Sequence, residues 1–393
     1  IERPRLLQSG LKLGCWTGFE PPPADQIWLL TPEQLLEAHH SGQLRPEDHL
    51  VIPEAEWLPS RLRHAMTVQI DACHWEQLRA AFPSAGKGLL DLHERLSRQL
   101  VVLGGGANRD LVMPESALTM VRDLLQLLGS TPAPWCQLMS MEQTSWASWA
   151  RMDPLTLQWC WQLQPLEPVI ALDPLFSSHP WTLIHVDGGC RRHGEARGTA
   201  GDELQIDLRD APRGEPLPIY LPRRQPLPNT EIFADHLLEQ SRRLILGRSG
   251  LTAVLVNPPR MRQRLCSELA AEFGSRVTLE STAPETNGVV CCSWGWWLSH
   301  QHLLPEPEQL IAGMLPIASR EDPLTAARVE SLKRQGRDWF RSLLLPEALA
   351  ILIPAIASLR QSGGRLAILD GRVRGRSWGE HVLRALEPWE ALQ

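Results

Sequence analysis

With 393 residues, 43% hydrophobic and 21% charged, the chain has material for two or three folded domains with a large core, which excludes a disordered or low-complexity protein. A net charge of −6 excludes a uniformly basic nucleic-acid binder, so any such contact has to come from a local basic face.

Residues 10–18 read as a short strand and turn, and Gln26–Leu30, beyond Pro21-Pro22-Pro23, as a second apolar run. Thr31 has the marks of an N-cap, with Pro32 at the first helical position and Gln34 three residues on. The helix should run to His40 and stop at Ser41-Gly42. His49–Ile52 reads as a strand leading into Pro53-Glu54-Ala55-Glu56, a solvated strand-to-helix turn. Strand, helix and strand in that order predict a parallel α/β sheet.

Leu62, Ala65, Met66, Val68, Leu78, Leu89, Leu90, Leu92, Leu96 and Leu100 recur at helical spacing, so residues 61–149 are expected to be an all-helical block. Gly104-Gly105-Gly106 breaks it, and Pro114-Glu115-Ser116 starts another helix through Leu128. Neither the tri-glycine nor Gly86-Lys87-Gly88 is a phosphate loop, because the following Gly-Lys-Ser/Thr is missing.

Strand-like runs return over 155–186, followed by a charged, glycine-containing loop at 191–215. The proline-rich 216–228 is extended, and a helix begins near Asn229. Leu251–Val256 and Val289–Cys292 read as buried strands on either side of an Arg260–Phe273 helix. From Ile311 to Trp389 the order is strand, loop, long amphipathic helix, second helix and a buried strand, Arg365–Asp370.

The eight cysteines are irregularly spaced and form no C-x-x-C pair, so reduced, buried thiols are expected, without zinc, other metal or an iron–sulfur cluster. Sixteen tryptophans against one tyrosine are read as packing residues. No apolar run of about 18 residues and no signal peptide are evident, which predicts a cytoplasmic protein with no membrane partner. The first residue is Ile, which reads as a fragment or processed product.

Several stretches, taken together, resemble the XPD/DinG group of superfamily 2 DNA helicases. Thr31-Pro32-Glu33-Gln34-Leu35-Leu36 and Leu50-Val51-Ile52-Pro53-Glu54-Ala55-Glu56 are similar to the segment carrying the family's Mg²⁺-binding motif. Leu315-Pro316-Ile317, Asp322-Pro323-Leu324, Ala327-Arg328, Gln335-Gly336, Phe340, Leu345-Pro346-Glu347-Ala348 and Ile368-Leu369-Asp370-Gly371-Arg372 are similar to the end of its second motor domain. The resemblance implies two RecA-like parallel-sheet lobes with an arch-like insertion in the first. The expected divisions are 1–60 for part of the first lobe, 61–149 for the helical insertion, 150–234 for the rest of that lobe and hinge, and 235–393 for the second lobe.

The motifs that do chemistry depart from the family. Pro53 stands where the first acid holds Mg²⁺, and Glu56 stands where the family has His. Glu54 is therefore a vestigial catalytic residue. Val186-Asp187-Gly188-Gly189-Cys190 replaces the Ser-Ala-Thr coupling motif, and Trp294-Gly295-Trp296-Trp297-Leu298 lacks the acids of the WEGVD-type motif. The arginine-finger positions fall on 351–358, which hold neither Arg nor Gln; Arg360 lies close by, outside them. The expectation is a homologue that does not hydrolyse ATP and needs neither ATP nor Mg²⁺. It would bind DNA, RNA or a protein partner, with Arg328, Lys333, Arg334 and Arg337 as the nucleic-acid contacts. Two other readings compete: an active ATP-dependent DNA helicase whose P-loop precedes Ile1, and a structural subunit without a nucleic-acid role.

Overall fold

The computed structural model describes residues 12–16, 21–23, 26–104, 110–141, 145–153, 156, 158–185 and 215–392. The expected 191–215 loop and the Ser-Ala-Thr counterpart at 186–190 lie essentially outside them. The chain divides into two compact units, Ile1–His185 with Ser319–Gly336, and Val186–Ala318 with Arg337–Gln393.

In the first unit, β1 (Leu13–Cys15) and β2 (Ile27–Leu29) pair in parallel. Helix α1 (Pro32–His40) begins on the expected cap. The Gln34 amide donates to Thr31 Oγ1 at 3.3 Å, and the Thr31 amide donates to Gln34 Oε1 at 2.8 Å. This reciprocal pair satisfies two amides that a helix start leaves open. Strand β3 (Leu50–Ile52) is followed by α2 (Leu58–Ala65).

The expected all-helical block is corrected by the structure. β4 (Val68–Ile70), β5 (Asp110–Val112), β6 (Trp146–Met152) and β7 (Trp159–Pro165) form an antiparallel sheet in the order β4-β7-β6-β5. Val68 and Ile70 are buried while Gln69 is exposed, which is a period of two. Three residues are too few to interrupt the 3.6-residue stripe of leucines around them, so Val68 reads as part of that stripe. Helices α3 (Ala72–Ala81), α4 (Gly86–Gly104), α5 (Glu115–Leu128) and α6 (Trp135–Ser140) share one core with this sheet. Four tryptophans sit in that core, and three of their indoles find acceptors. Trp159 Nε1 donates to Ser97 Oγ at 2.8 Å, Trp161 Nε1 to Ser148 Oγ at 2.7 Å and Trp135 Nε1 to His74 O at 3.2 Å. Helix α7 (Asp173–Ser178) leads to β8 (Trp181–Leu183), which pairs in parallel with β3.

The second unit is built on a seven-stranded, all-parallel sheet. Its elements begin with β9 (Leu217–Tyr220), α8 (Phe233–Ile245), β10 (Leu251–Leu255) and α9 (Pro259–Phe273). They continue with β11 (Val277–Leu279), β12 (Val289–Cys292), α10 (Trp294–His300) and β13 (Pro307–Ala312). The chain then contributes α11 (Pro323–Arg334) to the first unit. It resumes with α12 (Leu345–Ala355), α13 (Ala357–Ser362), β14 (Arg365–Ile368), α14 (Arg372–Gly375), α15 (Gly379–Ala385) and β15 (Trp389–Leu392). The strand order is β11-β12-β10-β13-β14-β9-β15, compatible with a RecA-like lobe. Residues 215–234 thus belong to this unit rather than to the first, since β9 lies between β14 and β15.

Successive strand residues enter opposite cores. Val290, Cys292, Leu310 and Ala312 face one, and Val289, Cys291 and Ile311 face the other, as a sheet covered on both sides requires. One helical run, Phe340–Ser362, is long and apolar enough to cross a membrane, which corrects the expectation that no such run exists. Leu345, Leu352, Ala355, Ile356 and Leu359 of this run lie in the sheet's core.

Candidate functional site

Strand β3 delivers the motif that resembles the helicase metal site. After Ile52 the backbone turns through Glu54 with φ 50° and ψ 50°, a left-handed conformation uncommon for a residue with a side chain. Its carboxylate is ion-paired with Arg61 of α2, and both side chains are about half exposed. A carboxylate already paired to a guanidinium, next to a proline with no ligand atom, does not make a Mg²⁺ site. Among the described residues, no group of three His, Cys, Asp or Glu side chains could hold a metal ion. The residues present do not fit a nucleotide–Mg²⁺ complex at this position.

The solvated-turn expectation holds for Glu54 and fails for Glu56. Pairing of β3 with β8 brings the Ile184 amide to Ile52 O and the Ala55 amide to Ile184 O, each at 2.9 Å. The Glu56 side chain, only 13% exposed, therefore faces His185, Oε2 to Nδ1 3.8 Å. Residues 129 positions apart gave no sign of this in the sequence.

In the second unit, the sheet order reverses between β10 and β13, where open parallel sheets form a ligand crevice at the carboxyl ends of the strands. Trp294 stands there. Its amide donates to Asn257 Oδ1 at 3.2 Å, beyond β10, and its indole Nε1 to Met314 O at 2.9 Å, beyond β13. The side chain is buried, as is Trp297, whose Nε1 donates to Ala355 O at 2.9 Å. The WEGVD-like stretch thus contributes packing where the resembled motif contributes acids.

The arginine-finger positions run through α12 and the start of α13, with Leu352, Ala355 and Ile356 in the core. Arg360 donates to the carbonyls of Leu386 and Pro388, so it ties α13 to the approach to β15 and does not reach out as a finger.

The remaining candidates lie on or near α11. Asp322 caps this helix, accepting from the Thr325 amide at 2.8 Å and the Thr325 hydroxyl at 2.7 Å. Leu324 and Ala327 pack against Ala147, Trp149 and Leu166, which holds the helix on the antiparallel sheet. Beside that seam is a cavity of about 530 Å³. Val112, Met113 and Trp146 supply apolar lining, while Arg320, Lys333 and Arg334 line it from the α11 segment. Lys333 lies 3.5 Å from Glu330, on the same helix.

Of the four predicted contacts, Lys333 and Arg334 line the cavity. Arg328 is half-buried and outside it, and Arg337 belongs to the second unit. Arg320, which precedes the Asp322 cap, is not among the predicted contacts, and it lines the cavity with Lys333 and Arg334.

No protein-family model matches the chain. Among known proteins, the ATP-dependent DNA helicase YoaA of Haemophilus influenzae is 28% identical over 130 residues, which is 32% of this chain and 20% of that protein. The chain therefore spans about a fifth of the length of the curated relative it matches. The sequence similarity, with the parallel α/β sheet, supports a helicase-like relationship at the level of the superfamily.

Proposed function

We propose that this protein is a degenerate relative of the XPD/DinG helicases that binds nucleic acid at the α11 cavity without hydrolysing ATP. The observation that carries the reading is the fate of the β3 motif: Pro53 offers no ligand, and Glu54 is engaged by Arg61. Phosphoanhydride hydrolysis in this class depends on positioning and charge stabilisation by a phosphate cradle, a metal and a water-orienting acid. Trp294 in the sheet crevice and Arg360 on backbone carbonyls point the same way.

Binding at the cavity follows from its chemistry. Arg320, Lys333 and Arg334 supply cations for phosphates, and Trp146 with Val112 and Met113 supplies apolar surface for bases. The reading needs no ATP, Mg²⁺ or iron–sulfur cluster and places the protein in the cytoplasm. A DNA-binding titration across salt concentrations tests the first half. Three phosphate contacts predict a log–log slope of about −2 for a single strand. An ATPase assay with and without DNA tests the second. Turnover of about one per second, abolished by Glu54→Gln, would replace this reading with that of an active helicase.

A further inference from the structure

Strands β9 and β14 are parallel neighbours, so the segments that follow them leave the same edge of the second unit's sheet. After β9 the chain runs Leu221-Pro222-Arg223-Arg224-Gln225-Pro226-Leu227-Pro228. After β14 and Asp370 it runs Gly371-Arg372-Val373-Arg374-Gly375-Arg376-Ser377-Trp378. The two segments lie against each other. Arg374 Nη2 donates to Leu221 O at 2.9 Å, and Gly371 meets the carbonyls of Gln225 and Pro226 with no room for a Cβ. Neither segment holds an acidic residue, and the carboxylate of Asp370 is already engaged by Arg372. Arg223, Arg224, Arg374 and Arg376 are all exposed, and none is ion-paired among the described residues. By contrast, Arg242, Arg243, Arg264 and Arg341 of the same unit pair with Glu272, Glu239, Asp235 and Asp338. Four guanidiniums gathered without a counter-charge repel one another, and a bound polyanion relieves that repulsion.

We propose that this edge is a second nucleic-acid site, where Arg223, Arg224, Arg374 and Arg376 contact the phosphodiester backbone of a strand without reading its sequence. It lies on the second unit, whereas the α11 cavity belongs to the first, and it does not rest on the reading of that cavity. The residue type favours phosphate. A guanidinium offers its donors in a planar fork that fits two oxygens of one phosphate, and Arg374, with one N–H on Leu221 O, keeps others free. Pro222, Pro226 and Pro228 fix φ along the first segment, so less freedom is lost when a strand binds. Among the described residues, no exposed large apolar side chain falls in either segment. An interface with a folded protein is built round an apolar core, and a membrane surface takes apolar anchors along with cations. Backbone phosphates need neither, because charge carries their recognition.

The test titrates the full chain with a long oligothymidylate, read by fluorescence anisotropy at several salt concentrations. Replacing all four residues, Arg223→Gln, Arg224→Gln, Arg374→Gln and Arg376→Gln, should flatten the log–log slope by about 3, at roughly 0.7 per phosphate of a single strand. Lys333→Glu with Arg334→Glu, in the cavity, should leave the slope of about −3 that the four arginines supply. Arg223→Gln with Arg224→Gln alone breaks no hydrogen bond among the described residues and should flatten the slope by about 1.4. That double variant carries the test if circular dichroism shows the fourfold one to be misfolded. Unchanged affinity and slope in the arginine variants would overturn the proposal. Complete loss of binding in the cavity variant would also overturn it, and would leave the cavity reading standing. Loss of binding in the fourfold variant with no change in the cavity variant would support the proposal and remove the cavity reading. A wild-type chain that binds no oligothymidylate would sink both.

Discussion

Asp370 provides a direct probe of what holds the second unit together. It follows β14 with its side chain fully buried, and its carboxylate carries two jobs. Oδ2 accepts from the Leu315 amide at 2.9 Å, which fixes the chain leaving β13. The same carboxylate accepts from the Arg372 amide at 3.0 Å and from its guanidinium at 2.6–3.1 Å. Asp370→Ala removes one member of a buried ion pair, which costs about 3–5 kcal/mol when the partner charge is left behind. Arg372 keeps 23% of its side chain exposed, so water recovers part of that loss. The Leu315 amide is also left without an acceptor, a further cost of about 1–3 kcal/mol. A total of about 4 kcal/mol is expected, at the low end of the two ranges combined, because water recovers part of the ion-pair loss. At about 2–4 °C per kcal/mol for a unit of this size, the melting transition should fall by roughly 8–16 °C in scanning calorimetry. Adding Arg372→Ala should recover part of the loss, because no unpaired charge then remains. A fall of less than about 3 °C for Asp370→Ala, or a double variant worse than the sum of the singles, would refute the reasoning.

Trp294→Ala should cost about 3–5 kcal/mol by opening a cavity at the sheet crevice, read as a lower urea midpoint. Glu54→Gln should change stability by no more than about 1 kcal/mol, since its pair with Arg61 is exposed, and should leave any background ATP hydrolysis unchanged in a phosphate-release assay. Lys333→Glu with Arg334→Glu should weaken DNA binding and flatten the log–log salt slope by about 1–2, measured by fluorescence anisotropy. Alkylation of Cys266 by iodoacetamide should accelerate as pH rises through about 7, because the thiolate is the reacting form; a rate that climbs only toward pH 9 would contradict a thiol held below its ordinary range.

What could be read from the sequence depended on whether the signal was local. Thr31 and Gln34 bond to each other within one helical turn, so their spacing announced the cap. Leu251–Leu255 and Val289–Cys292 are buried throughout, so their continuous apolar runs announced central strands. Strand β4 was hidden because three residues carry too short an alternation to outweigh a helical background. The assignment of α11 to the first unit was hidden because Leu324 and Ala327 look like any apolar helix face until Ala147 and Trp149 are seen beneath them.

The matches to the helicase family sort by what their side chains bond to. Thr31 closes its own helix start, and Asp322 caps α11. Gly336 takes φ 69° just past the end of α11, in the left-handed region that suits glycine. Asp370 and Arg372 bond to each other and to the chain beyond β13. Gly371 between them leaves no room for a Cβ, which would fall 2.5 Å from Pro226 O and 2.6 Å from Gln225 O. All of these matched residues serve the backbone of this chain. The departures lie at positions whose partners in the resembled motifs are the metal, the phosphates or the coupling machinery: Pro53, the acid-free stretch after Trp294, and 351–358. A protein that lost the requirement to turn over nucleotide but kept the requirement to fold would shed the second set and retain the first. The resemblance therefore follows the scaffold, while the cavity beside α11 presents both cations and an indole.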